Sequence, residues 1–145
     1  SPCWRWMAVA SNEERERVAR AGFEFFSASD PRTTLGLLAE DVEVFAHPEL
    51  ANAGRFNGHD GYLEWIGPWT DVWETLDFEV TDVIPVGERH VVADVHQTGH
   101  GREGIEVSMN VAFLFEVRDD ELVSYLALLP NRDEAVALGR EREAA

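Results

Sequence analysis

Cysteine is nearly missing from this sequence, since Cys3 is the single one among 145 residues. One thiol forms no intramolecular disulfide and supplies no zinc site built from cysteines. We therefore expect a domain held together by its apolar core, without a bound metal or other cofactor. The scarcity of cysteine also fits a cytoplasmic protein.

Positive charge is scarce as well. Lysine and arginine together number 12 against 28 aspartates and glutamates, which gives a formal net charge of −16. This balance repels phosphate backbones and anionic membrane surfaces, so neither nucleic acid nor a membrane is expected as a partner. Long apolar runs are missing too, and the opening segment 1–10 (SPCWRWMAVA) has the pattern of neither a signal peptide nor a membrane span.

What the sequence does contain is enough material for one globular domain. Apolar residues make up 45 % of it, and no internal repeat or low-complexity linker divides it. We place the domain at 11–140, with an N-terminal extension at 1–10 and a C-terminal tail at 141–145. Met7 leaves open whether residues 1–6 are native.

The first part of the chain predicts two helices. Ser11 followed by Glu14 is a capping box, in which both side chains accept from amides at a helix start. Asp30 and Pro31 predict a second, shorter helix, with aspartate as its cap and proline in its first turn. Apolar residues at helical spacing support the first helix, namely Val18, Gly22, Phe25 and Phe26.

The middle of the chain predicts a strand, a loop and a third helix. Residues 42–47 (VEVFAH) have the pattern of a short strand, and a polar loop through 52–57 follows. An apolar helical stripe then runs from Tyr62 to Leu76. Pro68 lies inside this stripe and predicts a kink or a break there, because proline removes a backbone donor.

Beyond residue 76 the apolar residues alternate as they do in strands. Turn residues separate the runs, which predicts an antiparallel meander. Asn131 and Glu134 repeat the capping box and open a closing helix that Gly139 is expected to end. The predicted strands cover 78–86, 91–98, 105–117 and 122–129.

This element order predicts an α+β fold. Helices would pack on the concave face of a curled, cone-shaped antiparallel sheet and leave one end of the cone open. An open mouth of this kind is a common place for a ligand pocket.

Four segments carry a further signal: DVEVFAHPE (41–49), FNGHDGYLEWI (56–66), GHGREGIEVSMNVAFLFEVRDDELVSY (99–125) and PNRDEAVALG (130–139). In this order and spacing they resemble the SnoaL-like members of the NTF2-like superfamily, which also contains ketosteroid isomerases, limonene epoxide hydrolases, scytalone dehydratases and polyketide cyclases. The resemblance spans 12–139 and implies the cone-shaped α+β fold. It does not imply one function, because this superfamily hosts many.

The resemblance also places individual residues. His47 takes the position of the isomerases' carboxylate base, Gly22 that of their oxyanion-hole tyrosine, and Phe113 that of their neutral carboxylic acid. The isomerases stabilise an enolate intermediate with that tyrosine and that carboxylic acid, and this chain lacks both hydrogen-bond donors. Isomerisation of that type is therefore not expected. The Asp-Arg-Asp arrangement of the epoxide hydrolases is also incomplete, because residues 93–97 offer Asp94 but no arginine.

Three residues are candidates for catalysis: His47, Asp94 and His96. His47 would act as a general acid or base where it faced the pocket, and the alternative is a half-exposed histidine at a strand end. Asp94 and His96 share one face of a strand. They would form a carboxylate-oriented histidine or, with His100 in the following loop, an incomplete metal site. The alternation with the apolar residues of that strand, however, points both away from the cone.

Aromatic and apolar side chains are expected either to shape the pocket or to form an ordinary core. On the strand 105–117 the apolar set should face the cone and leave Asn110 outside. Glutamates at both ends of the chain, Glu143 among them, are expected to be solvated charge. The expected substrate-binding residues are Phe26, Tyr62, Trp65, Trp69, Met109 and Phe113.

Three functions remain open at this point. The chain is a cofactor-independent enzyme that acts on a small hydrophobic molecule by general acid–base chemistry, a non-catalytic binding module for an apolar ligand, or an interaction domain with a filled cavity. A homodimer is expected under each, because the outer sheet face carries Ala112 and Leu114.

Overall fold

The computed structural model describes residues 10–28, 31–50, 52–101 and 103–145. Within these residues a mixed six-stranded sheet combines with α-helices and one short 3-10 helix, so the predicted α+β class is confirmed. The elements are α1 (Asn12–Ala28), the 3-10 helix (Pro31–Leu37), β1 (Leu38–Ala46), β2 (Gly54–Asn57), α2 (Gly58–Val72), β3 (Trp73–Val86), β4 (His90–Gly101), β5 (Glu106–Val117), β6 (Val123–Leu129) and α3 (Arg132–Ala144).

The sheet contains the predicted meander and adds two strands at one edge. Strands β3 to β6 pair antiparallel in sequence order, as the alternation predicted. β1 joins the far side of β6 in parallel, and β2 pairs antiparallel with β1. The complete order is β2-β1-β6-β5-β4-β3.

β2 forms where the sequence predicted a polar loop. Its four residues pair with the end of β1, so that Arg55 lies opposite Phe45. The Arg55 guanidinium lies 4.9 Å from the centre of the Phe45 ring, an attractive cation–π contact. A short edge strand with such a contact needs no apolar alternation, and this explains why the pattern did not reveal it.

Helix α2 runs through Pro68 and ends at Val72, so the predicted break does not occur within the helix. The apolar stripe read as one helix as far as Leu76 instead crosses from α2 into β3. Trp73 pairs with Gly101 and Leu76 with Gly99 in the β3–β4 ladder. Over so few residues the apolar spacing fits a helix and a strand equally well. Pairing with β4 makes these last residues part of a strand.

Each sheet face buries its own apolar cluster. We call the face that packs on α1 and α2 the cavity face, and the opposite one, which packs on α3, the outer face. The cavity face carries Val91, Ala93, Val95, Phe113 and Phe115. The outer-face cluster consists of Val86, Val92, Ala112, Leu114, Tyr125, Ala127, Leu129 and Ala135.

Both predicted capping boxes form at least in part. The Ser11 hydroxyl accepts from the Glu14 amide at 3.1 Å, and a Glu14 carboxylate oxygen accepts from the Ser11 amide at 3.3 Å. Asn131 accepts from the Glu134 amide at 2.9 Å. The predicted end of the closing helix at Gly139 is wrong, because α3 continues to Ala144. Most of the segment 141–145 is therefore part of the folded domain and not a tail.

No helix in the described part of the chain is long and apolar enough to cross a membrane.

Candidate functional site

A cavity opens between α1, α2 and the cavity face of the sheet. The free volume of this cavity is about 70 Å³. A single water molecule needs only roughly 10–15 Å³ of such volume, so the cavity is several times larger than one water requires. Its walls are mainly apolar and aromatic, and no described lining residue carries a charge. They include Val18, Phe23, Tyr62, Trp65, Ile66, Phe78, Phe113, Phe115, Leu126 and Leu128.

Phenylalanines form one wall of this cavity. The Phe23 ring meets Phe113 edge-on at 4.9 Å between centres, and it lies 5.6 Å from Phe78. Phe113 and Phe115 lie nearly parallel, with their centres 6.0 Å apart. Edge-on and offset pairs of this kind add to the energy of burial, so they stabilise this apolar wall.

Helix α1 leaves room for a ligand at Gly22. This residue lines the cavity, and a Cβ atom built on it would meet no described atom within 4 Å. The resemblance to the isomerases put this residue at the position of their oxyanion-hole tyrosine. Glycine at this position therefore leaves space on the cavity wall, as far as the described residues extend.

Among the described lining residues, three carry polar side chains in an otherwise apolar wall: Thr34, Tyr62 and Gln97. Burial raises the pKa of the Tyr62 phenol to about 12, and the neighbouring Thr34 hydroxyl opposes that shift only in part. Thr34 Oγ1 makes no hydrogen bond of good geometry to any described residue, so we regard the two hydroxyls as neighbours and not as a bonded pair. Tyr62 is thus a neutral hydrogen-bond donor at every physiological pH.

Gln97 is the lining residue that the sequence analysis did not single out. It lies on β4 with 7 % of its surface exposed, and its side chain makes no hydrogen bond to the described residues. Its ladder partners are Phe78 and Met109, which offer no strong hydrogen-bonding side-chain atom. The signal was available, because Gln97 continues the alternation of the apolar residues on the same strand.

The expected substrate-binding residues divide into three groups. Tyr62, Trp65 and Phe113 line the cavity. Met109 packs against the same apolar cluster without being one of the described lining residues. The side chains of Phe26 and Trp69 lie outside the described residues.

The structure does not bring His47 to the cavity. It follows β1 near the first turn of α3, where its Nε2 lies 3.5 Å from a Glu134 carboxylate oxygen. Its Nδ1 accepts from the Glu49 amide at 3.1 Å. This is the half-exposed strand-end position that the sequence analysis weighed as the alternative.

Asp94 and His96 lie on the outer face, as the alternation indicated. His96 Nδ1 is 2.8 Å from the Asn110 side-chain oxygen, so the amide, and not Asp94, orients the ring. Asp94 borders a shallow polar groove beside the start of α3, together with Asn110 and Arg132. Among the described residues no three histidine, cysteine, aspartate or glutamate side chains are grouped to hold a metal ion.

A second polar cluster fastens the end of α3 to the hairpin between β3 and β4. His90 is fully buried, and its Nδ1 lies 2.5 Å from a Glu143 carboxylate oxygen. The same carboxylate accepts from the amides of Glu88 and Arg89 at 3.1 and 2.9 Å. Burial raises the pKa of the Glu143 carboxyl, but these hydrogen bonds outweigh it and lower the pKa to about 2. The expectation that Glu143 is solvated charge is therefore wrong.

The sequence model of the SnoaL-like domain matches residues 19–125, which is most of the chain. The chain belongs to the SnoaL-like family. A comparison with curated proteins gives no match.

Solved structures of other proteins share the fold of this chain. The crystal structure of TerC co-crystallised with polyporic acid has 17 % identity and a TM-score of 0.69, over 88 % of this chain and 98 % of that one. RV0760c from Mycobacterium tuberculosis, in complex with estradiol-17beta-hemisuccinate, has 13 % identity and a TM-score of 0.71, over 83 % and 95 %. SalBIII, an epoxide hydrolase/cyclase-like enzyme of pyran ring formation in salinomycin, has 10 % identity and a TM-score of 0.69, over 82 % and 92 %. At these identities the likeness shows the fold alone.

Proposed function

We propose that this protein binds a small, largely apolar molecule in the cavity between α1, α2 and the sheet. The observation that carries the proposal is the cavity itself, which is apolar, open to small molecules and lined by a few inward polar groups. Natural ligand sites have this composition. Two neighbours of the same fold were crystallised with organic molecules, which supports the same reading.

The cavity favours binding over acid–base catalysis. No described lining residue is a histidine, aspartate, glutamate, lysine or arginine, so the described part of the wall offers none of the usual general bases. The phenol of Tyr62, with its pKa raised to about 12, is a donor and not a base. His47, Asp94 and His96 lie elsewhere and do not enter the proposal.

A cofactor-independent enzyme that polarises a carbonyl group is the second candidate. It is favoured by one observation, that Tyr62 and Gln97 line the same cavity and both offer hydrogen-bond donors. Such an enzyme would convert the molecule that it binds. Chemical change of a bound molecule on incubation, followed by mass spectrometry, distinguishes it from a binding protein.

Variants at Gly22 test the proposal. Gly22→Phe places a ring in a space that no described residue fills within 4 Å, and it should abolish the stabilisation of the protein by small apolar compounds in a thermal-shift screen. Gly22→Ala is the matched control. It should retain binding and raise the stability by about 0.5–1 kcal/mol, because alanine favours a helix interior over glycine. Equal binding by both variants would place the ligand outside this cavity and contradict the proposal.

Two further expectations belong to this proposal. The first is a homodimer. The sequence argument for it was an apolar outer face at Ala112 and Leu114, but α3 of the same chain covers both residues, so they do not support a dimer. A cytoplasmic location is the other, supported by the single cysteine.

A further inference from the structure

Gln97 places a primary amide on the otherwise apolar wall of the cavity. The residue is buried to 7 % exposure, and no hydrogen bond joins its amide to a described residue. Neither amide atom is among the fully enclosed polar atoms without a partner, so the amide stays open to a molecule in the cavity. A methionine or leucine would fill the same space, and an amide at this position points to a role outside folding.

No hydrogen bond links the Gln97 side chain to a described neighbour. Phe78 and Met109 flank it on the neighbouring strands. Tyr62, Trp65 and Thr34 line the same cavity. The amide therefore has both a donor and an acceptor left for a molecule that enters the cavity.

The cavity wall also restricts the charge of that molecule. No described lining residue is charged, so the described part of the wall offers no counter-ion to an ionised ligand. Arg15 is buried but is not a described lining residue, and its Nη1 donates to the backbone oxygens of Gly87 and His90 at 3.0 and 2.7 Å. The net charge of −16 opposes the approach of anions as well.

Hydrogen-bond donors are available on this wall. The Gln97 amide and the hydroxyls of Thr34 and Tyr62 can each donate to a ligand. Burial raises the pKa of Tyr62 to about 12 and so keeps its phenol in the donating form. A ligand oxygen that accepts hydrogen bonds fits such a wall.

We infer that Gln97 is the specificity-determining residue of the cavity, and that the ligand is an uncharged molecule with an apolar body and one accepting oxygen, such as a ketone or an ester. This inference rests on the proposed function, because it names the ligand class of the same cavity. It assigns Gln97 a direct hydrogen bond to that oxygen.

The test compares two probes of similar shape, acetophenone and isopropylbenzene, by isothermal titration calorimetry. In the wild-type protein the carbonyl bonds to Gln97. The Gln97→Met variant keeps the length of the side chain and loses the amide. We expect acetophenone to bind this variant about 5- to 10-fold more weakly, which corresponds to one hydrogen bond. Isopropylbenzene should bind it as well as or better than it binds the wild type.

Thr98→Val is the matched control, because Thr98 is the next residue of β4 and points to the outer face, near Ser108. It should leave both affinities unchanged. Gln97→Leu serves as a second variant should Gln97→Met fold poorly, and melting curves establish the folding of each. In the ligand-free state both Gln97 variants should melt at or above the wild-type temperature.

The outcomes separate the two claims. If both probes bind in the cavity, as judged by loss of binding in Gly22→Phe, and their affinity ratio does not change in Gln97→Met, the role of Gln97 is refuted and the binding function stands. If binding of the probes is insensitive to Gly22→Phe, or if neither probe binds, both claims fail. Benzoate should bind at least 10-fold more weakly than acetophenone, and equal binding would contradict the uncharged class.

Discussion

Single residues define the chemistry of the cavity more than any motif does. Gln97 could be found from the sequence, because it shares the parity of Val91, Ala93 and Val95 on a strand whose direction and face were correctly predicted. The sequence instead favoured histidines as catalytic candidates, since a histidine side chain titrates near neutrality. The position of His47 depends on where β1 ends and on how α3 packs, and neither follows from a local pattern.

Replacement of His47 should leave the cavity untouched. His47→Ala is expected to bind acetophenone with the wild-type affinity within a factor of two, roughly the effect of a distant surface change. Its partners Glu134 and Glu49 belong to the first turn of α3 and the loop after β1, and they are not described lining residues. A loss of binding of 10-fold or more would reassign His47 to the site.

At the scale of elements, the long strands and the capped helices were predictable and the short or long-range features were not. Alternation fixes which face a strand residue takes, and capping boxes fix helix starts. The length of α3 depends on Glu143, which contacts His90 53 residues earlier in the chain. β2 depends in the same way on its pairing with β1. Such distant pairings leave no periodic signal in the sequence.

The contact between Glu143 and the β3–β4 hairpin should stabilise the fold at neutral pH. The Glu143 pKa of about 2 lies below the ordinary 4.5, so the stabilisation is complete above pH 4.5 and is lost as the pH falls towards 2. Glu143→Gln is expected to lower the free energy of unfolding by about 2 kcal/mol at pH 7.

Urea unfolding between pH 7 and pH 2.5 measures this difference. The gap between wild type and Glu143→Gln should shrink as the pH falls through that range. Glu141→Gln is the control, because Glu141 lies on the same helix and is exposed. A similar loss in both variants, or a gap that does not change with pH, would show that the hydrogen bonds to Glu143 do not matter.

The whole molecule presents an acidic surface, and this bears on self-association. The part of the outer face that lies beyond the α3 cluster carries polar side chains such as His96, Thr98 and Asn110. Two copies that each carry a net charge of −16 repel one another at low ionic strength.

A homodimer should therefore be strengthened by salt. Light scattering at micromolar concentration is expected to show a larger fraction of dimer in about 0.5 M salt than in 0.02 M, because the Debye length falls from about 20 Å to about 4 Å. A monomeric mass under both conditions would contradict the predicted homodimer. It would leave the cavity and its ligand class unaffected.

The central claim is that a neutral, apolar molecule with an accepting oxygen enters the cavity and meets Gln97. A ¹H–¹⁵N NMR titration with acetophenone tests it most directly, since every amide of the protein reports in one experiment. We predict saturable shift changes at the Gln97 side-chain amide and at the backbone amides of cavity-lining residues such as Tyr62 and Phe113, with the outer-face amides of Asp94 and His96 unchanged. Shift changes confined to the outer face, or no saturable change at Gln97, would contradict the account.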